Sequence, residues 1–223
     1  MPIFLFDTFG SASIGVFIRV TEGFMIVPNQ VPESKIRKLE DWFGTRTVRT
    51  NIGGSVLAGP LVCANSHGIV LPHNVWDEEL DVLKSLSDIN ITVAQTKRTA
   101  YGNLVLANDH GAVADPRLKG KDVEVISATL GVEVVPGEIA GLPFVGSLAT
   151  ATNKGVMVHP LTRPEEEDLL ADVLKVPVGI GTINCGIPYI ATGLIGSGSV
   201  AVTGSLTTGP ELFMIGQALD VAD

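Results

Sequence analysis

A near-repeat of about 44 residues runs the length of this chain, and a period of that size restricts the fold to a stack or ring of like units. The segments "GFMIVP" from Gly23, "GIVLP" from Gly68, "GAVADP" from Gly111, "GVMVHP" from Gly155 and "SVAVTG" from Ser199 align on anchors 45, 43, 44 and 44 residues apart. Each anchor lies in a polar tight turn between two short apolar runs, such as "NLVLA" and "AVA". Gly, Asn and Asp accept the positive φ of such turns, and β-branched residues favour the flanking strands, so each copy opens with a β-hairpin.

A helical pattern follows the hairpins. "ESKIRKLEDWF" puts Ile36, Leu39 and Phe43 on one face, "DEELDVLKSL" does so with Leu80, Leu83 and Leu86, and "EEEDLLADVLK" with Leu169, Leu170, Val173 and Leu174. "PELFMIGQAL" supplies a fifth-copy helix, and "GKDVEVISATL" in the third copy carries the weakest periodicity. "TRPE" at 162–165 and "TGPE" at 208–211 both read as a Thr cap, a first-turn Pro and a Glu three residues on.

Four helices lead into a further strand: "TRTVRTNI", "NITVAQT", "VEVVPGEI" and "VPVGIGTI". The fifth has none after it, while "PIFLF" at the N-terminus is a strand without a unit. Joining the two closes a ring and removes exposed sheet edges. The fold expected is therefore α/β, a five-bladed α/β propeller with pseudo-five-fold symmetry, helices outside and hairpins toward the axis. It forms one domain with units at approximately 10–53, 54–101, 102–142, 143–187 and 188–223, the last completed by strand 2–7. A solenoid is disfavoured because neither terminal unit shows the polar face of a capping repeat.

A chain of 223 residues that is 45% hydrophobic and 17% charged can bury its own core without disulfide or metal. Residues 176–210 lack charge, but Gly and Pro interrupt them too often for a membrane span, and the N-terminus lacks the pattern of a signal peptide. Two cysteines far apart, Cys63 and Cys185, fit a reduced, cytoplasmic protein. A net charge of −9 argues against a broad nucleic-acid footprint and limits any polyanion contact to a local patch.

Candidate chemistry is sparse. His110 in "ANDHGAVADP" invites a catalytic reading, yet His67 fills the same turn slot one repeat earlier, and Glu22 and Lys154 precede the anchor in other copies; a turn role explains all four. The histidines at 67, 73, 110 and 159 form no HxH or HExxH pair, so no metal and no cofactor are expected. "NIGGS" and "GLIGSGS" match no phosphate loop and read as crossings between units, and Glu165 to Asp168 complement a helix N-terminus. Enzymes that modify guanidino groups share this pentein-type ring and use a cysteine with His and acidic partners. Cys185 in "TINCGIPY" is the candidate nucleophile of that alternative, a hydrolase or transferase, but no His follows residue 159. One stretch departs from the acidic background: "AQTKRTAYGNLVLAND", where Lys97, Arg98, Tyr101 and Asn103 offer two cations, an aromatic ring and an amide to a phosphate or carboxylate.

"LVCANSHGIVLPHN", "YGNLVLANDHG", "NKGVMVHPLT" and "LLADVLKVPVGIGTIN", four separated segments in order, resemble translation initiation factor six in its archaeal form, over the span from first hairpin to fifth helix. The resemblance implies a non-enzymatic ring that binds the large ribosomal subunit on its intersubunit face, against a ribosomal protein beside the sarcin–ricin loop. It keeps the small subunit from joining by occupying space. It also implies a possible part in large-subunit biogenesis. Asn65 of "VCAN" and Asn103 of "YGNL" become expected ribosome-facing positions, joined on charge by Lys97 and Arg98 for a local rRNA contact. The expected partner is thus the large subunit, with no membrane, and the expected state is a monomer.

Overall fold

A computed structural model describes residues 2–220. Fifteen strands among them form five three-stranded sheets of one design, an antiparallel hairpin whose second strand pairs in parallel with a third strand. The first four sheets join β2 (Arg19–Val20), β3 (Phe24–Val27) and β4 (Arg46–Arg49); β5 (Cys63–Ala64), β6 (Gly68–Leu71) and β7 (Asn90–Val93); β8 (Val105–Ala107), β9 (Ala112–Ala114) and β10 (Val134–Pro136); and β11 (Ala149–Ala151), β12 (Val156–Val158) and β13 (Val178–Ile180). The fifth joins β14 (Leu194–Ser197) and β15 (Val200–Gly204) to β1 (Ile3–Phe6).

β1 runs parallel to β15, with Ile3 opposite Ala201 and Phe6 opposite Gly204, in the place that β4 takes beside β3. The N-terminal strand therefore completes the last sheet, as the missing strand required. The middle strands β3, β6, β9, β12 and β15 are buried along their whole length, which is why they read as unbroken apolar runs and not as alternating ones.

Between second and third strand of the first four sheets lies an outer helix: Glu33–Phe43, Asp77–Leu83, Gly120–Leu130 and Pro164–Leu174; a fifth, Gly209–Ala218, follows β15. Ile36, Leu39 and Phe43 are buried as the spacing demands. The Asp77 helix stops at Leu83, so Leu86 reaches the core from the turn beyond it. The weakly periodic third segment is a full helix over Gly120–Leu130, burying Ile126, Thr129 and Leu130. Packing against the neighbouring sheet supplies what its pattern lacks.

The hairpin register corrects two of the five sequence anchors. In each turn one side chain accepts the backbone N–H groups two and three residues on: Asn65 Oδ1 from His67 and Gly68, Asn108 Oδ1 from His110 and Gly111, and Thr152 Oγ1 from Lys154 and Gly155. Thr21 does the same for Gly23 and Phe24, and Ser197 accepts from Ser199. The equivalent positions are therefore Thr21, Asn65, Asn108, Thr152 and Ser197, which makes Phe24 and Val200, not Gly23 and Ser199, the partners of Gly68, Gly111 and Gly155.

Those three glycines are required by the next unit. A Cβ would lie 2.0 Å from the Thr129 carbonyl oxygen at Gly68, 2.1 Å from that of Val173 at Gly111, and 2.0 Å from that of Ala218 at Gly155. The end of the following outer helix presses on the turn. The asparagines finish that contact: Asn65 Nδ2 donates to the carbonyls of Asn108 and Leu130, and Asn108 Nδ2 to those of Thr152 and Leu174. Each ties its own turn to the next turn and to an orphan carbonyl at the next helix end.

Short helical turns precede the hairpins at Ile14–Val16, Ala58–Leu61, Tyr101–Leu104, Val145–Leu148 and Ile190–Thr192. Each touches the next, and the last touches the first, so the contacts run in a cycle. The segments between units are mostly tight turns closed by paired backbone bridges, at 8–11, 52–55, 139–142 and 183–187. "NIGGS" is one of these crossings, whereas "GLIGSGS" forms β14 and its hairpin turn.

Three crossings are clamped by a buried carboxylate three residues past the cap of an outer helix. Glu79 accepts from the N–H groups of Gly53 and Gly54, Glu166 from Ala140 and Gly141, and Glu211 from Cys185 and Gly186. The cap at 162–165 thereby shifts by one: Arg163 is the N-cap, Glu166 the reciprocal acid, and the Thr162 hydroxyl donates to the His159 carbonyl. At 208–211 Thr208 caps as expected, donating N–H and hydroxyl to Glu211.

Burial alone would raise the Glu211 pKa, but donors from Thr208, Gly186 and Thr182 outweigh it and hold the carboxyl at about 2. An unfolded Glu titrates near ~4.3, so this stabilisation is fully present above that value and is lost as pH falls toward 2. Glu211→Gln should lower Tm by about 5 °C at pH 7, with the gap to wild type closing in acid. A gap of constant size across an acid series of thermal melts would contradict the assignment.

Candidate functional site

The first strands of the sheets touch in series, β5 on β8, β8 on β11, β11 on β14 and β14 on β2. Arg19 on β2 reaches β5 by donating from Nη2 to the Ala64 carbonyl. Hairpin tips lie at one end of these strands and the short helical turns at the other.

The tips are laced together. Ser66 N and Oγ donate to Asp109, Asp109 N to Asn153 Oδ1, Asn153 Nδ2 back to Asp109, and the N–H groups of Asn153 and Gly198 to Glu22. Glu22 from the first hairpin thus receives the fourth and fifth, and Gly23 faces Ser66 across the remaining gap. This polar lacing seals one end of a cavity of about 560 Å3 that includes Glu22, Asp109 and Asn153 in its lining and reaches Leu142, Phe144 and Tyr189 at the other end. His67 and His110 are exposed members of the sealed end, in the turn slot anticipated for them.

The open end carries exposed apolar side chains. Leu57, Phe144 and Tyr189 occupy the N-cap position of three short turns and are 40, 46 and 48% exposed. Phe9, Leu142 and Ile187 from the crossing turns are also exposed. Beside them lies the crossing at 94–100, which lacks the paired bridge of the other four and runs from β7 to the turn at Tyr101. Thr96 Oγ1 organises it, 2.7 Å from the Tyr101 hydroxyl and accepting from the Arg98 N–H. Lys97 here is exposed, and Arg98 donates from Nη2 to the Arg117 carbonyl. Arg117 in turn lies over the Phe144 ring, 4.8 Å from its centroid, and its hydrogen bonds to Asp115 hold that carboxyl below the usual range. Cation and aromatic ring therefore join the irregular crossing to the open rim.

Asn103 is half-buried on the cavity lining at this end. Asn65 stands elsewhere: it is 2% exposed in a hairpin tip, with its amide consumed by two carbonyls and its oxygen by two N–H groups. That placement corrects its expected surface position. The sequence match could not separate an asparagine that meets a partner from one that ties two units together. Arg117 was missed because nothing local marks it; its relation to Phe144 is tertiary.

Cys185 is exposed, with φ +64° in the left-handed run Asn184–Gly186, and its N–H donates to Glu211. The only acid it meets by hydrogen bond is already committed to five donors. Cys63 is buried, and burial pushes its thiol up to about 11, opposed by nearby Arg19. Among the described residues no three of His, Cys, Asp or Glu gather to hold a metal ion, and no helix is long and apolar enough to cross a membrane.

By its relatives, the chain that carries these five like α/β units is a non-enzymatic factor of the translation apparatus. Residues 3–218 match the family described as eIF-6 family. A protein of Methanocaldococcus jannaschii named Translation initiation factor 6 is 41% identical over 94% of each chain, and its namesake in Pyrococcus horikoshii is 38% identical over 98% of this chain and 99% of that one. A third, from Staphylothermus marinus, is 35% identical over 98% of both. This chain belongs to the eIF-6 family, a family of translation initiation factors and not of enzymes.

Proposed function

We propose that this protein is a single-domain, five-bladed α/β propeller of pentein type that binds the large ribosomal subunit and prevents the small subunit from joining it by steric occlusion. It acts as a monomer in the cytoplasm, contacts a ribosomal protein near the sarcin–ricin loop, touches rRNA only locally, and takes part in large-subunit biogenesis. The observation that carries the docking face is the open rim: Leu57, Phe144 and Tyr189 repeat one exposed apolar position at the start of three short turns, and the last two line the cavity. Natural interfaces set such anchors, commonly aromatic ones, inside a polar border. Lys97, Arg98 and Arg117 form that border on one side, with Arg117 over the Phe144 ring and Arg98 bonded to the Arg117 carbonyl.

An interface of about 800 Å2 per partner suffices for specific association, and a bound body of 23.4 kDa then fills the space the other subunit needs. The net charge of −9 suits a basic ribosomal protein as principal partner and leaves phosphate contact to the local cations.

In sedimentation the full chain should travel with isolated large subunits and lower the yield of joined ribosomes. Asn103→Ala and Arg98→Ala should each weaken binding about tenfold, and Arg98→Ala should reduce the salt slope by about one. Subunit joining at normal yield with saturating protein would refute the occlusion, and unchanged affinity in both variants would refute the face.

A further inference from the structure

We propose that the axial cavity binds a small zwitterion, a carboxylate and an ammonium carried on a short apolar chain. Its volume of about 560 Å3 lies within the range of small-molecule sites. Apolar walls come from Leu106, Leu148, Ala149 and Ile195, and the charged groups in its lining are Arg19, Glu22 and Asp109.

Arg19 is the cation of the lining, and its hydrogen bonding is incomplete. A guanidinium has five N–H donors. Here Nη2 donates to the Ala64 carbonyl at 3.2 Å, while the buried Nε has no partner. Among the described residues no carboxylate pairs with it; every other arginine apart from Arg98 holds one within 4.0 Å. Arg19 is half-buried, and a guanidinium in that setting with unused donors is under-satisfied, with a bidentate carboxylate as its natural complement.

The two acids stand at the sealed end. Glu22 is fixed by the N–H groups of Asn153 and Gly198, and Asp109 by Ser66 and the Asn153 amide. The lacing locks both carboxylates in place instead of pairing them with Arg19. The backbone limits how far apart the opposite charges lie. Arg19 holds the carbonyl of Ala64 and Asp109 holds the N–H of Ser66, two residues on, so at most about 7 Å of chain separates the two attachment points. One cation against two acids leaves the cavity net negative, which disfavours a simple anion, while a dipolar molecule satisfies both ends. The carboxylate goes to Arg19, the ammonium toward Asp109 and Glu22, and the chain lies along the apolar wall. This inference is independent of the docking reading.

The test is titration of the full-length protein with ω-amino acids of increasing chain length, followed by amide chemical shifts and calorimetry. 6-Aminohexanoate and its shorter homologues should bind saturably, shifting Arg19, Ala64 and Ser66. Hexanoate and hexylamine, each with one charged end, should bind at least tenfold more weakly. Arg19→Gln should abolish binding, and Ala151→Leu, which fills the cavity and leaves Arg19 in place, should do the same if Arg19→Gln fails to fold. Absence of binding across the series overturns the proposal, as does equal affinity for the singly charged probes or binding retained in the filled-cavity variant.

Discussion

Gly59→Ala should destabilise the protein by about 3 kcal/mol or more, a fall in Tm of roughly 10 °C, although it adds a single methyl group to a short helical turn. A Cβ at Gly59 would lie 1.8 Å from the Gly15 carbonyl oxygen and 2.9 Å from its carbon. Both are backbone atoms, so no rotamer change relieves the overlap. The same contact recurs around the cycle: Gly102 meets the Gly59 carbonyl, Gly146 that of Gly102, and Gly15 that of Ala191. A shift that eased one contact would press on its neighbours, so the cost cannot be dispersed locally. Gly120→Ala is the matched control: it lies at the start of an outer helix with nothing within 4 Å of the added carbon and should stabilise by about 0.5 kcal/mol. Denaturant melts of the two variants decide the matter, and comparable stability would mean that the short turns are not packed backbone to backbone.

The glycine contacts also explain what the sequence disclosed and what it hid. The period was legible because Gly68, Gly111 and Gly155 are held in place by an approaching helix carbonyl and therefore recur. Phe24 and Val200 occupy the same position in the first and fifth units, where no glycine is required, so the anchors at Gly23 and Ser199 slip by one. The feature common to all five turns is a side-chain oxygen three or four residues before the strand, supplied by Thr, Asn or Ser, and three residue types conceal one function. The closing strand was legible from counting alone, because one unit lacked a strand and one strand lacked a unit.

The candidate site was harder to read for a different reason. Lys97 and Arg98 stood out against an acidic chain, and the structure places them in the one crossing without a paired bridge. Arg117 and Phe144 belong to different units and meet only in three dimensions. Asn65 and Asn103 look alike in sequence, and only the structure separates the one buried in a hairpin tip from the one half-buried near the rim. Arg19 gave no signal at all: a lone cation in an apolar run is ordinary until a cavity is found beside it.

Asn108→Asp is expected to be as damaging at neutral pH as any cavity-forming change, at about 3–5 kcal/mol, and to recover in acid. Asn108 is 5% exposed and serves two functions. Its Oδ1 accepts from the N–H groups of His110 and Gly111, and aspartate keeps that half. Its Nδ2 donates to the carbonyls of Thr152 at 3.0 Å and Leu174 at 2.9 Å, and there aspartate places an anionic oxygen against two carbonyl oxygens. A buried charge facing acceptors only is strongly unfavourable. The new carboxyl therefore has a folded pKa raised above its unfolded value of about 3.9. By linkage the penalty is smallest below that value, where the protonated acid donates to one carbonyl, and grows as pH rises through the unfolded pKa until the folded one is passed. Asn108→Ala loses the same two donors without acquiring a charge, so its deficit should not change with pH. Guanidinium unfolding of the three proteins at pH 4 and pH 7 separates these cases. A deficit for Asn108→Asp that is the same at both values would show that the asparagine does not face the two carbonyls, and with it would fall the account of how one unit is locked to the next.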